Sequence, residues 1–298
     1  MIRLAACQYA IECLQTWGAY EQHLAALCQN AAGQGAQLLL LPEYAGLVLS
    51  AQLAPEMRSD LHASIAAIQP LLPRWRALCA DLARTLGVYL QPGSAPVLDS
   101  DGHYRNRAWL FGPEGELGHQ DKLIMTRFER EAWGVAGGRE GLRCFDTDLG
   151  RLGILICYDN EFPLLARHLA EAGADLILAP SCTDTEAGYH RVRIGAQARA
   201  LENQIAVLQA PTVGLAPWSP ALDENIGRAG LYVPPDYGMP ADGVLAESSQ
   251  LSPAASQWLL AELDIAGLRR VREQGQVFTR RDWPEQAVAL RPSPISAR

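Results

Sequence analysis

Residues 150–163, Gly150-Arg151-Leu152-Gly153-Ile154-Leu155-Ile156-Cys157-Tyr158-Asp159-Asn160-Glu161-Phe162-Pro163, hold a near-continuous apolar run that meets a cysteine and then a proline. Such a run is the pattern of a strand covered on both faces, so 152–156 reads as a buried strand of an α/β sheet. The next helix begins around Asn160, with Pro163 tolerated in its first turn. Cys157 then stands at the carboxyl end of a buried strand and just before a helix, whose N-terminus lowers a thiol pKa and exposes the sulfur. A cysteine in an apolar strand is also an ordinary packing residue, so position alone leaves both readings open.

Downstream, Gly173 ends the helix, and Gly173-Ala174-Asp175-Leu176-Ile177-Leu178-Ala179-Pro180-Ser181 echoes Gly35-Ala36-Gln37-Leu38-Leu39-Leu40-Leu41-Pro42-Glu43. Arg151-Leu152-Gly153 faintly echoes Arg3-Leu4-Ala5 in the same way. Two related strand–helix–strand halves account for this, as does the simple recurrence that helix ends and buried strands impose. A strand over 3–8, a helix over 16–32, a strand over 37–41 and a helix over 73–86 carry the βαβα rhythm upstream. A strand over 88–91 and a hairpin turning at Gly112-Pro113-Glu114-Gly115 make the sheet mixed. Residues 214–243 read as surface loops around short strands, and 258–263 as a further strand. The segment from Phe278 to Arg298, with Pro284, Pro292 and Pro294, reads as an extended arm that packs on a partner subunit.

At 298 residues and 49% hydrophobic content the chain can build one large α/β domain. A net charge of -8 provides no basic surface for nucleic acid or anionic lipid, which points to small-molecule partners. No apolar run reaches the roughly 20 residues that span a bilayer, and the opening Met1-Ile2-Arg3-Leu4-Ala5-Ala6-Cys7 meets polar Gln8 too soon for a signal peptide. Seven cysteines without a CxxC or zinc-like Cys/His spacing fit reduced thiols, so a cytoplasmic chain without a structural metal is expected.

Two further residues carry chemistry. Glu43 emerges directly from Leu38-Leu39-Leu40-Leu41-Pro42, where burial would raise its pKa toward the range a general base needs; an exposed loop glutamate or a helix cap is the competing reading. Lys122 closes the hairpin, where a lysine is ordinarily solvated.

Leu41-Pro42-Glu43, His119-Gln120-Asp121-Lys122-Leu123-Ile124 and Ile156-Cys157-Tyr158-Asp159-Asn160-Glu161-Phe162-Pro163 resemble, in order and separation, the three motifs of the nitrilase superfamily, the carbon–nitrogen hydrolases. The resemblance continues through Ala174 to Ser181 and Arg199-Ala200-Leu201-Glu202-Asn203-Gln204, and covers residues 1–270, with 271–298 left as the C-terminal arm. It implies a four-layer αββα sandwich with mixed sheets, assembled as at least a homodimer, and a triad of Glu43, Lys122 and Cys157. It also implies a second glutamate soon after the lysine. Glu129 and Glu131 are both in range, and Glu131 is taken because its spacing to Gly137-Gly138 better resembles the family's glutamate before a Pro-Gly turn.

A thiol of ordinary pKa about 8.5 needs a base, an oxyanion needs fixed positive charge and a leaving amine needs a proton. Glu43, Lys122 and the Tyr158 backbone N–H supply these without any cofactor, so hydrolysis of a small linear carboxamide through a thioester is the expected activity. The Cys157-Tyr158-Asp159 sequence resembles the amidase branches more than the Cys-Trp-Glu of true nitrilases. Nitrile hydrolysis, acyl transfer from the same thioester, a Cys–His hydrolase using His119, His168 or His190, and a silent scaffold are the alternatives. Tyr44, Phe128, Trp133, Tyr158, Ser181, Cys182, His190 and Trp218 are candidates to line the pocket. Arg127, Arg130, Arg191 and Arg193 are candidates to clamp a substrate carboxylate, and residues 209–225 are candidates to cover the site.

Overall fold

The computed structural model describes residues 1–288. In β1 (Ile2–Ala10), Leu4 and Ala6 face one way and Ala5, Cys7 and Tyr9 the other, all buried. Thr16 caps α1 (Trp17–Gly33) by accepting the Ala19 N–H at 3.2 Å, and the chain returns as β2 (Leu38–Leu40), parallel to β1. Beyond Glu43, a 3-10 segment and the short helices α2 (Pro55–Arg58) and α3 (Leu61–Ala67) lead into α4 (Leu72–Leu86). β3 (Tyr89–Gln91) lies parallel to β2, and β4 (Ser94–Leu98), β5 (Tyr104–Gly112) and β6 (Gly115–Asp121) add antiparallel strands through the expected hairpin. The one-turn helix α5 (Arg127–Glu131) follows.

The second half repeats the plan. β7 (Cys144–Thr147) pairs antiparallel with β8 (Gly150–Ile154); α6 (Pro163–Glu171), β9 (Leu176–Ser181), α7 (Glu186–Asn203) and β10 (Ala206–Leu215) then build a parallel β8-β9-β10 core. After β11 (Glu224–Asn225), β12 (Gly230–Tyr232) and β13 (Val244–Glu247), β14 (Gln257–Leu263) crosses back to pair with β1 from Ile2 opposite Leu263 to Gln8 opposite Gln257. The two sheets meet where Tyr9 and Ala10 of β1 pair with Thr212 and Val213 of β10.

Strand alternation produces the layers. Leu39 and Leu41 point to α1 and α4, while Leu38 and Leu40 point to Leu176 and Leu178 of the facing sheet. Ile177 and Ala179 point away again, onto Ala166, Leu169, Ala196 and Ala200 of α6 and α7. Apolar contact on both faces of both sheets is an αββα sandwich, and it explains why the central strands read as unbroken hydrophobic runs.

The echo between the halves is structural. Arg3 sends its guanidinium to the Gln34 carbonyl at 2.7 Å, and Arg151 sends its own to Ala172 at 2.6 Å, each closing the helix end before a left-handed glycine, Gly35 or Gly173. The Arg3 N–H donates to the Gln37 side chain and the Arg151 N–H to Asp175, residues at matching positions.

One expectation is corrected. The chain from Phe278 is not extended over its described part: after α8 (Ile265–Gln274) it forms α9 (Thr279–Asp282) and a 3-10 turn, Trp283–Val288. It folds back on its own subunit, where Arg167 donates to the Arg280 carbonyl at 2.9 Å and stacks 5.0 Å over Trp283. Pro284 sits inside the first turn of that 3-10 segment, a place proline tolerates; Pro292 and Pro294 lie outside the described residues.

Asp175, buried at the start of β9, anchors α8 by accepting from Arg269 at 2.6 Å and Arg272 at 2.8 Å. Burial alone would raise its pKa, but the two arginine hydrogen bonds outweigh it and hold the carboxyl below its ordinary range. A depressed carboxylate stabilises above its unfolded pKa of about 3.9 and loses that contribution as pH falls through the folded value. Asp175→Ala strands the half-hidden Arg272 and is expected to cost about 3 kcal/mol at pH 7. In urea unfolding followed by circular dichroism, the gap between the variant and wild type should close as the pH is lowered below about 4; a gap independent of pH would refute the charge-pair assignment.

Candidate active site

Three chain segments leave the sheets at one rim. Glu43 follows β2, Lys122 follows β6 and Cys157 follows β8, and all three side chains line one cavity of about 630 Å³. The backbone is forced at two of these exits. Cys157 has φ 50 and Tyr44, next to Glu43, has φ 59, left-handed values that cost a non-glycine residue about 1–3 kcal/mol each and persist where surroundings impose them. The surroundings here are close-packed: a Cβ on Gly93 would lie 2.1 Å from the Pro42 carbonyl, and one on Gly195 of α7 would lie 2.9 Å from that of Asn160. Asp159 binds the segments together, accepting the Leu123 N–H at 3.0 Å and the Ile124 N–H at 2.8 Å across to the lysine loop.

Lys122 is the only lysine in the sequence, and its side chain is 1% exposed. Its Nζ lies 2.8 Å from Glu43 Oε1 and 2.6 Å from Glu129 Oε2. Asn106 Nδ2, from β5, donates to the same two carboxylates, at 2.8 Å to Glu43 and 3.2 Å to Glu129. Glu129 collects further donors from the Tyr44 hydroxyl at 2.6 Å and from the Thr126 N–H and hydroxyl, both at 2.9 Å. Glu43 Oε2 accepts the Cys182 N–H at 3.0 Å, and its carboxylate is in hydrogen-bonding range of the Cys157 thiol. The sulfur also approaches the Cys182 carbonyl at 3.7 Å.

These surroundings push the two carboxylates apart in acidity. Burial raises Glu43, and repulsion from Glu129 adds to it, against the pull of Lys122. Burial also acts on Glu129, but the Lys122 charge and the hydrogen bonds of Lys122, Tyr44 and Thr126 outweigh it and keep this carboxyl ionised. For Lys122 burial works against the charge, and the two glutamates overcome it, so the ammonium stays protonated. Burial, reinforced by the Glu43 charge, raises Cys157, so the resting sulfur is a thiol. Two carboxylates on one cation with opposite shifts divide the labour: Glu43 is placed to accept a proton and Glu129 to remain an anion.

The choice of Glu131 is overturned. Its side chain is 66% exposed and pairs with Arg127 at 3.6 Å on the surface, whereas that of Glu129 is 4% exposed against Lys122. Two residues on a helix differ by about 200°, so only one of the pair can face the lysine. The deciding signal was Thr126-Arg127-Phe128-Glu129, a capping box that turns the N3 glutamate back to the N-cap and into the protein. Asn106 carried no comparable local signal, because its role rests on strand pairing.

Of the expected pocket residues, Tyr44, Phe128, Trp133, Tyr158 and Cys182 line the cavity, as do Arg127 and Arg191. Ser181 instead turns its hydroxyl to the Ala210 carbonyl at 3.3 Å under the sheet, because the strand's alternation points it away from the Cys182 side. His190 is half-exposed on α7, 3.5 Å from Glu186, and Trp218 packs on the first helix layer; neither belongs to the lining. Arg193 is held by Glu247 at 2.5 Å, and Arg130 also lies outside. Pro220, Ala221, Asp223 and Glu224 bring part of the 209–225 stretch over the cavity. Among the described residues, no group of three or more histidine, cysteine, aspartate or glutamate side chains is arranged to hold a metal ion, and no helix is long and apolar enough to cross a membrane.

A family model described as Carbon-nitrogen hydrolase matches residues 3–272. A Bacillus subtilis (strain 168) protein, "Probable hydrolase YhcX", is 39% identical over 206 residues, covering 69% of this chain but 39% of that protein, so the chain spans well under half of that relative's length. "Omega-amidase NIT2-B" of Xenopus laevis is 28% identical over 260 residues, 83% of this chain and 84% of that one. The crystal structure of a carbon-nitrogen hydrolase from Helicobacter pylori G27 superposes with a TM-score of 0.72 at 20% identity, covering 95% of this chain and 93% of that one, which is a likeness of fold.

Because Lys122 is unique, amine acylation reads the site directly. With N-hydroxysuccinimide acetate at pH 8, Lys122 should stay unmodified in the native protein and react once the chain is unfolded in guanidinium. Glu129→Ala should speed native acylation of Lys122 at least about tenfold, since losing an adjacent opposite charge shifts a pKa by about 1–3 units, while Glu131→Ala leaves it unchanged. Peptide mass spectrometry measures both rates; equal effects would return the choice between the two glutamates to open.

Proposed function

The chain belongs to the carbon–nitrogen hydrolase family, and on that premise we propose that it hydrolyses a small carboxamide to the carboxylic acid and ammonia or amine through a thioester on Cys157. The observation that carries this reading is Glu43: a buried carboxylate with a raised pKa, beside the thiol and hydrogen-bonded to the one lysine.

Glu43 takes the thiol proton as the sulfur attacks the amide carbon. The oxyanion forms against Lys122 and the Tyr158 N–H, which, as a first-turn group of the 3-10 segment Cys157–Glu161, has no intrahelical acceptor. The C–N bond breaks as Glu43 returns its proton to the leaving nitrogen. Water then gives a proton to Glu43 and attacks the thioester; the sulfur leaves and regains the proton. Glu129 stays ionised throughout and holds the lysine.

A cavity of about 630 Å³ suits a small molecule. Its described lining carries six carboxylates, Glu43, Glu129, Glu161, Asp184, Asp223 and Glu224, against three cations, Lys122, Arg127 and Arg191. Arg191 already faces Glu161 at 3.7 Å. This balance favours a neutral amide over one bearing a carboxylate. The free state of all seven cysteines suits a reducing compartment such as the cytoplasm. Exposed Leu164 and Ile194 on adjoining helices α6 and α7 support a homodimer through that face.

Ammonia release from a panel of neutral amides, ω-amides of acids, carbamoyl compounds and nitriles is the test. Cys157-dependent release from neutral amides is expected, with none from Cys157→Ala and a loss of about 10²–10⁴-fold in Glu43→Gln. Protonated Glu43 cannot act as a base, so kcat/KM should fall with acid at a pH above the ordinary carboxylate value of about 4.3. Full turnover by Cys157→Ala, or an acid limb at that ordinary value, would remove the reading.

A further inference from the structure

Asn106 touches Glu43, Glu129 and Lys122 together. Its Nδ2 lies between Glu43 Oε1 at 2.8 Å and Glu129 Oε1 at 3.2 Å, and its backbone carbonyl accepts the Lys122 N–H at 2.8 Å. The residue is fully buried at the point where β5 runs beside the exit of β6. Its orientation follows from its neighbours, because a carbonyl turned to two carboxylate oxygens would only repel them. The consequence is that Oδ1 is left buried without a partner among the described residues. An orphaned buried carbonyl is uncommon and asks for a compensating reason.

We propose that Asn106 is a positioning residue for the amidase reaction, its side-chain amide joining the two glutamates and its carbonyl seating the lysine so that Glu43 stays aligned on Cys157. The inference rests on the amidase reading. Two carboxylates share one ammonium, and a second cation between them would neutralise the base that must collect a proton. A neutral NH₂ group stabilises both anions without changing the charge of the site. It also fixes Glu43 by the oxygen that Lys122 uses, leaving Oε2 to the Cys182 N–H and the thiol side.

The test needs no substrate. Iodoacetamide alkylation of Cys157, whose resting thiol reacts where ionised Glu43 takes its proton so that the acid-side midpoint reads Glu43, is followed by peptide mass spectrometry across pH 5 to 9 in wild type, Asn106→Ala and Asn106→Asp, with thermal melting to confirm folding. Loss of the donor in Asn106→Ala should slow alkylation at least about tenfold near pH 6 and move the midpoint up by about one unit or more. Asn106→Asp keeps the shape and adds a third carboxylate, so it should move the midpoint in the same direction, and it serves if the alanine variant does not fold. In protein labelled with ε-¹⁵N lysine, the single side-chain ammonium signal of Lys122 should shift in both variants. Unmoved midpoints in a folded variant, or a move toward acid in Asn106→Asp, overturn the proposal. Wild-type turnover that survives Cys157→Ala is a different result, and it removes the amidase reading itself.

Discussion

One ammonium group shared by two buried carboxylates is the interaction around which this molecule is arranged. Removing such charges from water is expensive unless the geometry is close and the remaining lone pairs are satisfied. Here they are: the Cys182 N–H takes Oε2 of Glu43, Asn106 and the Tyr44 hydroxyl take Oε1 of Glu129, and Asn106 and Thr126 add donors to the two oxygens that Lys122 holds; these donors come from β5 and three separate loops. The fold is thus required to bring many distant segments within hydrogen-bond distance of one nitrogen. The rims of two stacked sheets do this, because each strand end delivers one residue to a common point and the covered faces behind it resist displacement.

The internal repeat explains why the rim is shared. Each half runs strand, helix, parallel strand, and each closes its helix with an arginine from the preceding strand. The first half sends Glu43 out of β2; the second sends Cys157 out of β8 and the Cys182 N–H from beyond β9. With β1 and β10 paired at the centre, exits from both halves open on one cavity. Glu43, from beyond the first half's second strand, and Cys157, from beyond the second half's first strand, meet without either strand leaving its register.

Legibility from sequence followed the range of the forces involved. Apolar periodicity revealed the strands and helices around Leu38, Leu86 and Ile154, since alternation and burial are local properties of a covered sheet. The three motif residues were readable because each sits beside a recognisable strand end. Glu129 was missed because spacing to a glycine pair was weighed above the local capping box, which speaks to side-chain direction. Asn106 was invisible: nothing near Tyr104-Arg105-Asn106-Arg107 signals that its partners lie 63 and 23 residues away. Ser181 was misplaced by one step of strand alternation. Proline and polarity after Phe278 suggested an extended arm, but Arg167 supplies contacts that hold its described part as helix, a tertiary effect that composition does not encode.

The lysine itself closes the chemical logic. Every other permanent cation in the sequence is arginine, yet a guanidinium is a flat fork suited to one carboxylate face on, whereas an ammonium directs three N–H bonds from a single point. Two of these serve Glu43 and Glu129, and the third remains for the cavity that Lys122 lines. At rest the site holds two carboxylates, one ammonium and a neutral thiol. In the proposed reaction, passage of the thiol proton to Glu43 would leave one carboxylate, one ammonium and a thiolate, and attack of the sulfur on an amide would replace the thiolate with an oxyanion. The net charge of the buried site is the same in all three states. The surroundings would then need no large reorganisation, and the third N–H of Lys122 would be left for the developing oxyanion.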